Sequence, residues 1–201
     1  MRRGGVCWRV KQESGRMPQD YRIEGYAIVS VEGMIADARG EFPPQLKNDA
    51  DQRFFRAGLD SAAAVALGRI THDRERNLGR RRLVLTRKVA SLRPDADDPQ
   101  ALFWNPAGAT FQAARLALGL RQGSLAVIGG TEVFGTFLAI GYDAFHLSRA
   151  AKAHVPHGRP IFEGVGTDAT PEDKLRAAGL RMGPPRLLDP TAGVTLTTWS
   201  R

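Results

Sequence analysis

The sequence predicts an α/β domain, with a mainly parallel central sheet and an antiparallel edge at its C-terminal end. Three observations lead there. Short β-branched or apolar runs alternate with segments of helical period over most of the chain, the order that parallel strands joined by helices require. The tail "DKLRAAGLRMGPPRLLDPTAGVTLTTWSR" instead gives a short helix and then two runs about a turn, a hairpin that adds antiparallel strands to one edge. With 201 residues, 42% of them hydrophobic, the chain can fill one substantial core and is too short for two catalytic domains.

The elements follow in order. "YAIVSVEGMIA", from Tyr26, is a β-rich strand with a break at Gly33. "NDADQRFFRAGL" is a helix that Asn48 or Asp49 can cap, with Phe54, Phe55 and Leu59 recurring on one side. "DSAAAVALG" is a second, buried strand, "RRLVLT" a third and "ALFWN" a fourth. "ATFQAARLALGL" is a helix stopped by Gly119 and Gly123, and "SLAVIGGTEVFGTFL" supplies the next strand and helix. "YDAFHLS" is strand-like again. The segments "RPDADDPQ" and "VPHGRPIFEGVGTDATPED" are polar or rich in Pro and Gly, and are expected to be loops. The chain has no internal repeat.

Bulk properties narrow the function classes. Arg2, Arg3, Arg9, Lys11 and Arg16 against Glu13 place half of the net charge of +8 in the first 16 residues. That segment lacks the apolar core of a secretory signal, and Met17 stands directly before the patterned sequence. Residues 1–20 are therefore expected to be a disordered or artefactual extension, from an upstream start-codon assignment, and residues 21–201 the domain; a transit peptide is the alternative. With that charge set aside, and the remaining aromatics in apolar runs instead of between basic residues, nucleic acid is not an expected partner. No apolar stretch approaches the roughly 20 residues that cross a bilayer, so no membrane partner is expected. A single cysteine, Cys7, excludes an internal disulfide framework and fits a reducing cytoplasm. His72, His146, His154 and His157 lack metal-ligand spacing, and no metal site is expected. Trp104 and Trp199 sit in apolar runs suited to core packing.

Three strand ends carry the chemistry. In "VIGGTEVF", Gly129 and Gly130 allow unusual dihedrals and close approach of a phosphate to the backbone, while Thr131 can cap the following helix. A tight turn alone would also explain the two glycines. "ALGRITH" again follows a buried strand with a glycine, Gly68, and offers Arg69 and Thr71 to an anion. "LVLTRK" ends a strand with Thr86, Arg87 and Lys88, whose charges suit a phosphate or are simply solvated.

The ordered set of these sites resembles the dihydrofolate reductase superfamily, from about Tyr26 to Arg201. In that family a Gly-Arg-x-Thr turn, a strand ending in Ser or Thr with a polar or basic neighbour, and a Gly-Gly before a helix together hold NADPH. The resemblance therefore implies a three-layer fold, NADPH as cofactor, and a binding set of Gly68, Arg69, Thr71, Thr86, Arg87, Lys88, Gly129, Gly130, Thr131, Glu132 and Val133. It also implies a cis Gly129–Gly130 peptide. On the substrate side it places a carboxylate four residues before an aromatic on the first helix, which "ADQRFF" matches with Asp51 and Phe55. Asp51 would orient a pterin and supply a proton, unless it is only a first-turn acid facing the helix dipole; Asp49 is the simpler cap. Ser148 falls where the family has a hydroxyl partner for this carboxylate, and Ile28 would line the pocket. Arg80, with Arg81 and Arg82 beside it, falls where an arginine grips the substrate's tail.

Two positions depart from the family: Pro44 stands where a tryptophan is usual, and Glu132 where a basic residue often meets the cofactor's extra phosphate. "NDADQRFFRAGLDSAAAVALGRITHD" also looks like the reductase domain of the bifunctional riboflavin-biosynthesis deaminase-reductase, whose substrate is a ribosylamino-pyrimidine phosphate. The H-x-E and P-C-x-x-C of a deaminase are absent. The implied function is reduction of a C=N bond in a small heterocycle, dihydrofolate or that pyrimidine, in a monomer or homodimer. A module that binds nucleotide without catalysis is the non-enzymatic alternative.

Overall fold

The computed structural model describes residues 21–74 and 79–201; the expected N-terminal extension lies outside them. Among the described residues the chain forms β1 (Tyr21–Val29), β2 (Met34–Ala36), a 3-10 turn (Pro44–Leu46), α1 (Asp49–Ser61), β3 (Ala64–Gly68), α2 (Arg69–Arg74), β4 (Arg82–Leu85), β5 (Leu92–Pro94) and β6 (Ala101–Trp104). It continues through α3 (Phe111–Ala117), β7 (Gly123–Val127), α4 (Thr131–Ile140), β8 (Ala144–Ala150), β9 (Arg159–Pro160), α5 (Pro171–Ala177), β10 (Arg181–Asp189) and β11 (Val194–Ser200).

Nine of these strands form one sheet in the order β10-β11-β8-β1-β7-β3-β4-β6-β5. The centre, from β8 to β6, is parallel throughout, and both edges are antiparallel: β10 and β11 on one side, as expected, and β5 on the other. β2 and β9 pair separately.

Strand alternation sorts the side chains into two faces. Ile23 and Val29 of β1, Leu125 and Val127 of β7, and Phe145 and Leu147 of β8 join the larger core with Phe134 and Phe137 of α4, Ala114 of α3 and Leu175 of α5. The other face carries Tyr26, Val65, Leu67 and Ala126 against Phe54, Phe55 and Leu59 of α1. Tyr26 can lie that close because residue 58 is glycine: a Cβ there would meet the Tyr26 ring at 2.5 Å. Helices thus cover both faces of a central sheet, the expected three layers.

Several boundaries differ from the sequence reading. β1 begins at Tyr21, and the turn at Gly33 (φ 84°) separates it from β2, so "YAIVSVEGMIA" is two strands of different sheets. Asp60 and Ser61 belong to α1, whose cap is Asn48; its side chain accepts hydrogen bonds from Ala50 and Asp51 N–H at 3.1 Å each. β5 and β9 lie in the two expected loops; they are three and two residues long, too short for a period-2 pattern. α5 starts at Pro171 behind a Thr170–Asp173 capping box, which fixes its first turn.

Phe137 is fully buried against Trp104, Phe111 and Tyr142. Phe137→Ala is expected to cost about 3–5 kcal/mol of stability, read as a lower denaturant midpoint; an unchanged midpoint would mean that α4 is not held to the sheet by this contact.

Candidate functional site

Because β7, β3 and β4 are adjacent and parallel, their carboxyl ends open on the same edge of the sheet. Gly129–Gly130, Gly68 and Thr86–Arg87 stand at those three ends, so the three sequence sites converge on one edge. The ends are tied together: Gly68 N–H donates to the Gly129 carbonyl at 3.2 Å, and Ile128 N–H to the Ala66 carbonyl at 3.0 Å. The Gly129–Gly130 peptide is cis, and Gly129 has φ 108°, a region that side chains disfavour.

The edge has the make-up of an anion cradle. α4 begins at Thr131 with Gly130 as its cap, and Gly130 brings no side-chain hydrogen bond, so the first-turn N–H groups stay available to a ligand or water. A Cβ at Gly130 would have nothing within 4 Å, and one at Gly68 would meet only Val133 at 3.6 Å and the Gly129 carbonyl at 4.0 Å. Internal packing therefore does not exclude side chains at these two positions. The space that their absence leaves lies over the strand ends, which is what backbone approach by a diphosphate needs.

The side chains of the expected set divide. Thr131 does not cap α4; it is the first helical residue, and its hydroxyl donates to the Pro160 carbonyl, tying α4 to β9. Val133 is buried in the larger core, so only its backbone faces the helix start. Thr86 accepts from the Lys88 N–H at 3.2 Å and shapes the turn after β4. Thr71 is half-buried on α2. Arg69 pairs with Asp73 at 3.2 Å and lies over the Phe103 ring. Arg87 reaches Glu132 at 3.1 Å, both side chains well exposed, at 82% and 77%.

The second group lies on the α1 face. Ile28 and Ser148 are direct partners across β1 and β8, and Leu196 of β11 is the neighbour of Ser148 on the other side. Asp51, in the first turn of α1, faces Ser148. Burial pushes its carboxyl above the ordinary aspartate range, and the hydrogen bond with Ser148 draws it part of the way back. Asp51 is therefore more than an exposed dipole partner, the alternative that its position in the first turn left open. Phe55 packs edge-on against Tyr26 at 6.3 Å, one turn along the helix. A cavity of about 290 Å³ adjoins this group, lined by Leu46, Asn48, Ala150 and Val194 with Lys47 and Lys152. A larger one, about 470 Å³, lies at the opposite end of the sheet, beside Arg81 and Ala101 where β4 and β6 begin.

Arg80 is not beside Asp51. Its guanidinium donates to the Leu59 carbonyl and the Asp60 carboxylate at the far end of α1. Of its neighbours, Arg81 bonds the Gly119 carbonyl at 3.1 Å and Arg82 is buried with Asp98 as partner.

One polar network escaped the sequence reading. On the α1 face Glu24 accepts from the Tyr26 hydroxyl at 3.0 Å and from Arg22 at 3.0 Å, and His146 stacks on Tyr26 at 4.6 Å while bonding Thr198 at 3.0 Å. The His146 and Tyr26 contacts hold the Glu24 carboxyl down at about 2, and burial beside Glu24 pushes the Tyr26 phenol up. Its signal was the two-residue spacing of Glu24, Tyr26 and Ile28 on β1, which puts all three on one face.

No family model matches the chain, and no curated protein matches its sequence. Solved structures do match in fold. The diaminohydroxyphosphoribosylaminopyrimidine deaminase/5-amino-6-(5-phosphoribosylamino)uracil reductase of Thermotoga maritima superposes with a TM-score of 0.62 at 17% identity, over 90% of this chain and 56% of that one. A putative riboflavin biosynthesis protein from Shewanella gives 0.61 at 17%, over 90% and 98%. Dihydrofolate reductase from Enterococcus faecalis, complexed with NADP(H), gives 0.60 at 16%, over 90% and 96%. The chain thus spans little more than half of the Thermotoga protein and nearly all of the other two. It has the dihydrofolate reductase-like fold.

The raised Asp51 pKa has a consequence for stability. A carboxyl whose pKa is higher folded than unfolded favours the folded state in its protonated form, so stability falls as pH rises past the unfolded value, 3.8, and levels off above the folded one. Asp51→Asn is expected to raise the denaturant midpoint near neutral pH, with the gain fading towards about pH 3. A midpoint at neutral pH equal to or below that of the wild type would contradict this environment for Asp51.

Proposed function

We propose that the chain is an NADPH-dependent reductase that adds hydrogen across a C=N bond of a small heterocycle, with dihydrofolate or a related pterin as substrate. The observation that carries this is the convergence of three glycine- or hydroxyl-bearing strand ends on one edge, together with a partly buried carboxyl of raised pKa, Asp51 of α1, held against Ser148 of the same sheet.

When bound, the reduced nicotinamide supplies hydride. The backbone N–H groups at the start of α4 and the open space over Gly68 and Gly130 would hold the diphosphate, with Arg69, Arg87 and Lys88 near its anionic ends. Ile28 and Phe55 present apolar surface to a flat ring, and such positioning lowers the entropic barrier to transfer. Asp51, which keeps its proton to higher pH than an exposed aspartate, would hydrogen-bond the heterocycle and deliver the proton to nitrogen, directly or by way of one water. Ser148 orients that carboxyl. A substrate long enough to run the length of α1 would meet Arg80, where it must displace Asp60.

The riboflavin-type alternative, a ribosylamino-pyrimidine phosphate, is favoured by the fold likeness to such reductases and by Pro44 in place of the pterin-side tryptophan. Loss of NADPH absorbance on adding dihydrofolate supports the first reading. Loss only on adding the pyrimidine supports the second, and NADPH binding without turnover of either leaves the nucleotide-binding module.

Two variants sharpen the assignment. Gly68→Ala is expected to keep the wild-type denaturant midpoint, since its Cβ meets only ordinary contacts, and to weaken NADPH binding by about tenfold or more. Asp51→Asn is expected to leave NADPH affinity intact while slowing turnover by about 10²–10⁴-fold. Wild-type turnover would remove Asp51 from the chemistry.

A further inference from the structure

We propose that the cavity of about 290 Å³ between the start of α1 and the ends of β8 and β11 is a binding site for a small amphipathic acid, a phosphate or carboxylate on an apolar body, with the anion held between Lys47 and Lys152. It lies on the other side of β1 from the three strand ends described above, and binding there does not depend on the reductase reading.

Strand pairing shapes the cavity. Ala150 of β8 and Val194 of β11 are direct partners, and together with Leu46 and Ala153 they are buried and give it an apolar floor. All four belong to one cluster with Ile28. Much of the lining is alanine, at 150, 153 and 192, so the space is left by side chains that stop at Cβ. Its volume is at the lower limit of ligand cavities, roughly 300–1,000 Å³, which suits one small molecule or one end of a larger one. Ala150 stands two residues beyond Ser148 on the same strand face, a step of about 7 Å, and Asn48 caps the helical turn that carries Asp51. A ligand in the cavity is therefore a neighbour of the Asp51–Ser148 pair.

Charge gives the cavity its preference. Lys47 is exposed at the mouth, and its ammonium has no acceptor among the described residues. Lys152 donates to the Thr191 carbonyl at 2.7 Å, which holds its stem beside Gly193 and leaves two of its three donors for a ligand. The acid near this rim, Asp189, is already engaged: its carboxylate accepts from the Asn48 side chain at 2.7 Å and from the Ala192 N–H at 2.9 Å. One exposed lysine is ordinary surface. Two that line one cavity above an apolar floor match a ligand with both properties, an apolar body for the floor and an anion for the mouth. A cation would be repelled, and a neutral body of the same size would leave both ammonium groups unused.

The test is a titration of the labelled full chain with phenyl phosphate, followed by backbone amide resonances. Saturable shifts are expected at Leu46, Asn48, Ala150, Ala153 and Val194. Phenol and inorganic phosphate, which each keep one half of the match, are expected to bind at least about tenfold more weakly. Lys47→Gln and Lys152→Gln, both at exposed positions, are each expected to weaken phenyl phosphate by about fivefold, the scale of one charge contact in water. Added salt should weaken the wild type more than either variant. No saturable shift, shifts that gather elsewhere, or wild-type affinity in both lysine variants would overturn the proposal, and none of these results bears on NADPH. A second arm identifies the source of the anion. Displacement of phenyl phosphate by dihydrofolate or by the ribosylamino-pyrimidine phosphate makes the cavity the anionic end of the substrate site, whereas simultaneous binding assigns it to a separate small acid.

Discussion

Parallel register between β7, β3 and β4 is the constraint on which the rest depends. Parallel neighbours must be joined by crossovers, and each crossover helix starts where its strand ends, so α2 and α4 both begin on the edge that carries Gly68 and Gly129. The larger core packs directly beneath this edge. Val133, Phe134 and Phe137 anchor α4 to the sheet, and the Thr131 bond to Pro160 fixes its first turn from the other side. The proposed cradle is therefore a product of sheet geometry, presented by the backbone at the strand ends.

The α1 face works by a different principle. The helix is placed by aromatic packing on Tyr26 and by the Asn48 cap, which also bonds Asp189 at 2.7 Å on the C-terminal hairpin. That placement puts Asp51 against Ser148, in surroundings dry enough to push its carboxyl above the ordinary aspartate range. A fold optimised only for stability would not keep an acid there. Such a local conflict between burial and charge is where functional chemistry is found more often than elsewhere.

Much of this was legible in the sequence because it is written in local rules. A cap at Asn48 or Asp49, of which Asn48 is the one used while Asp49 is the first helical residue, the run of Phe54, Phe55 and Leu59, the strand before Gly68 and the paired glycines each report on residues within one turn or one strand of themselves. What was not legible depends on distant neighbours. β5 and β9 exist because β6 and β2 offer them partners, and their own residues, Leu-Arg-Pro and Arg-Pro, look like loop. Arg80 and Arg87 carry the same charge in sequence, yet one braces the end of α1 and the other meets Glu132; only the tertiary arrangement supplies Asp60 and Glu132 as partners. The Glu24–Tyr26–His146 network was hidden for the same reason, since His146 reaches β1 only through the pairing of β8 with it.

The central claim is that three strand ends act as one dinucleotide site. It is tested most directly by following backbone amide resonances of the labelled protein while NADPH is added. The account predicts that Gly68, Arg87, Gly130 and Thr131 shift together with one affinity. Shifts that are absent, or that gather around Arg81 and Ala101 at the opposite end of the sheet, would contradict it.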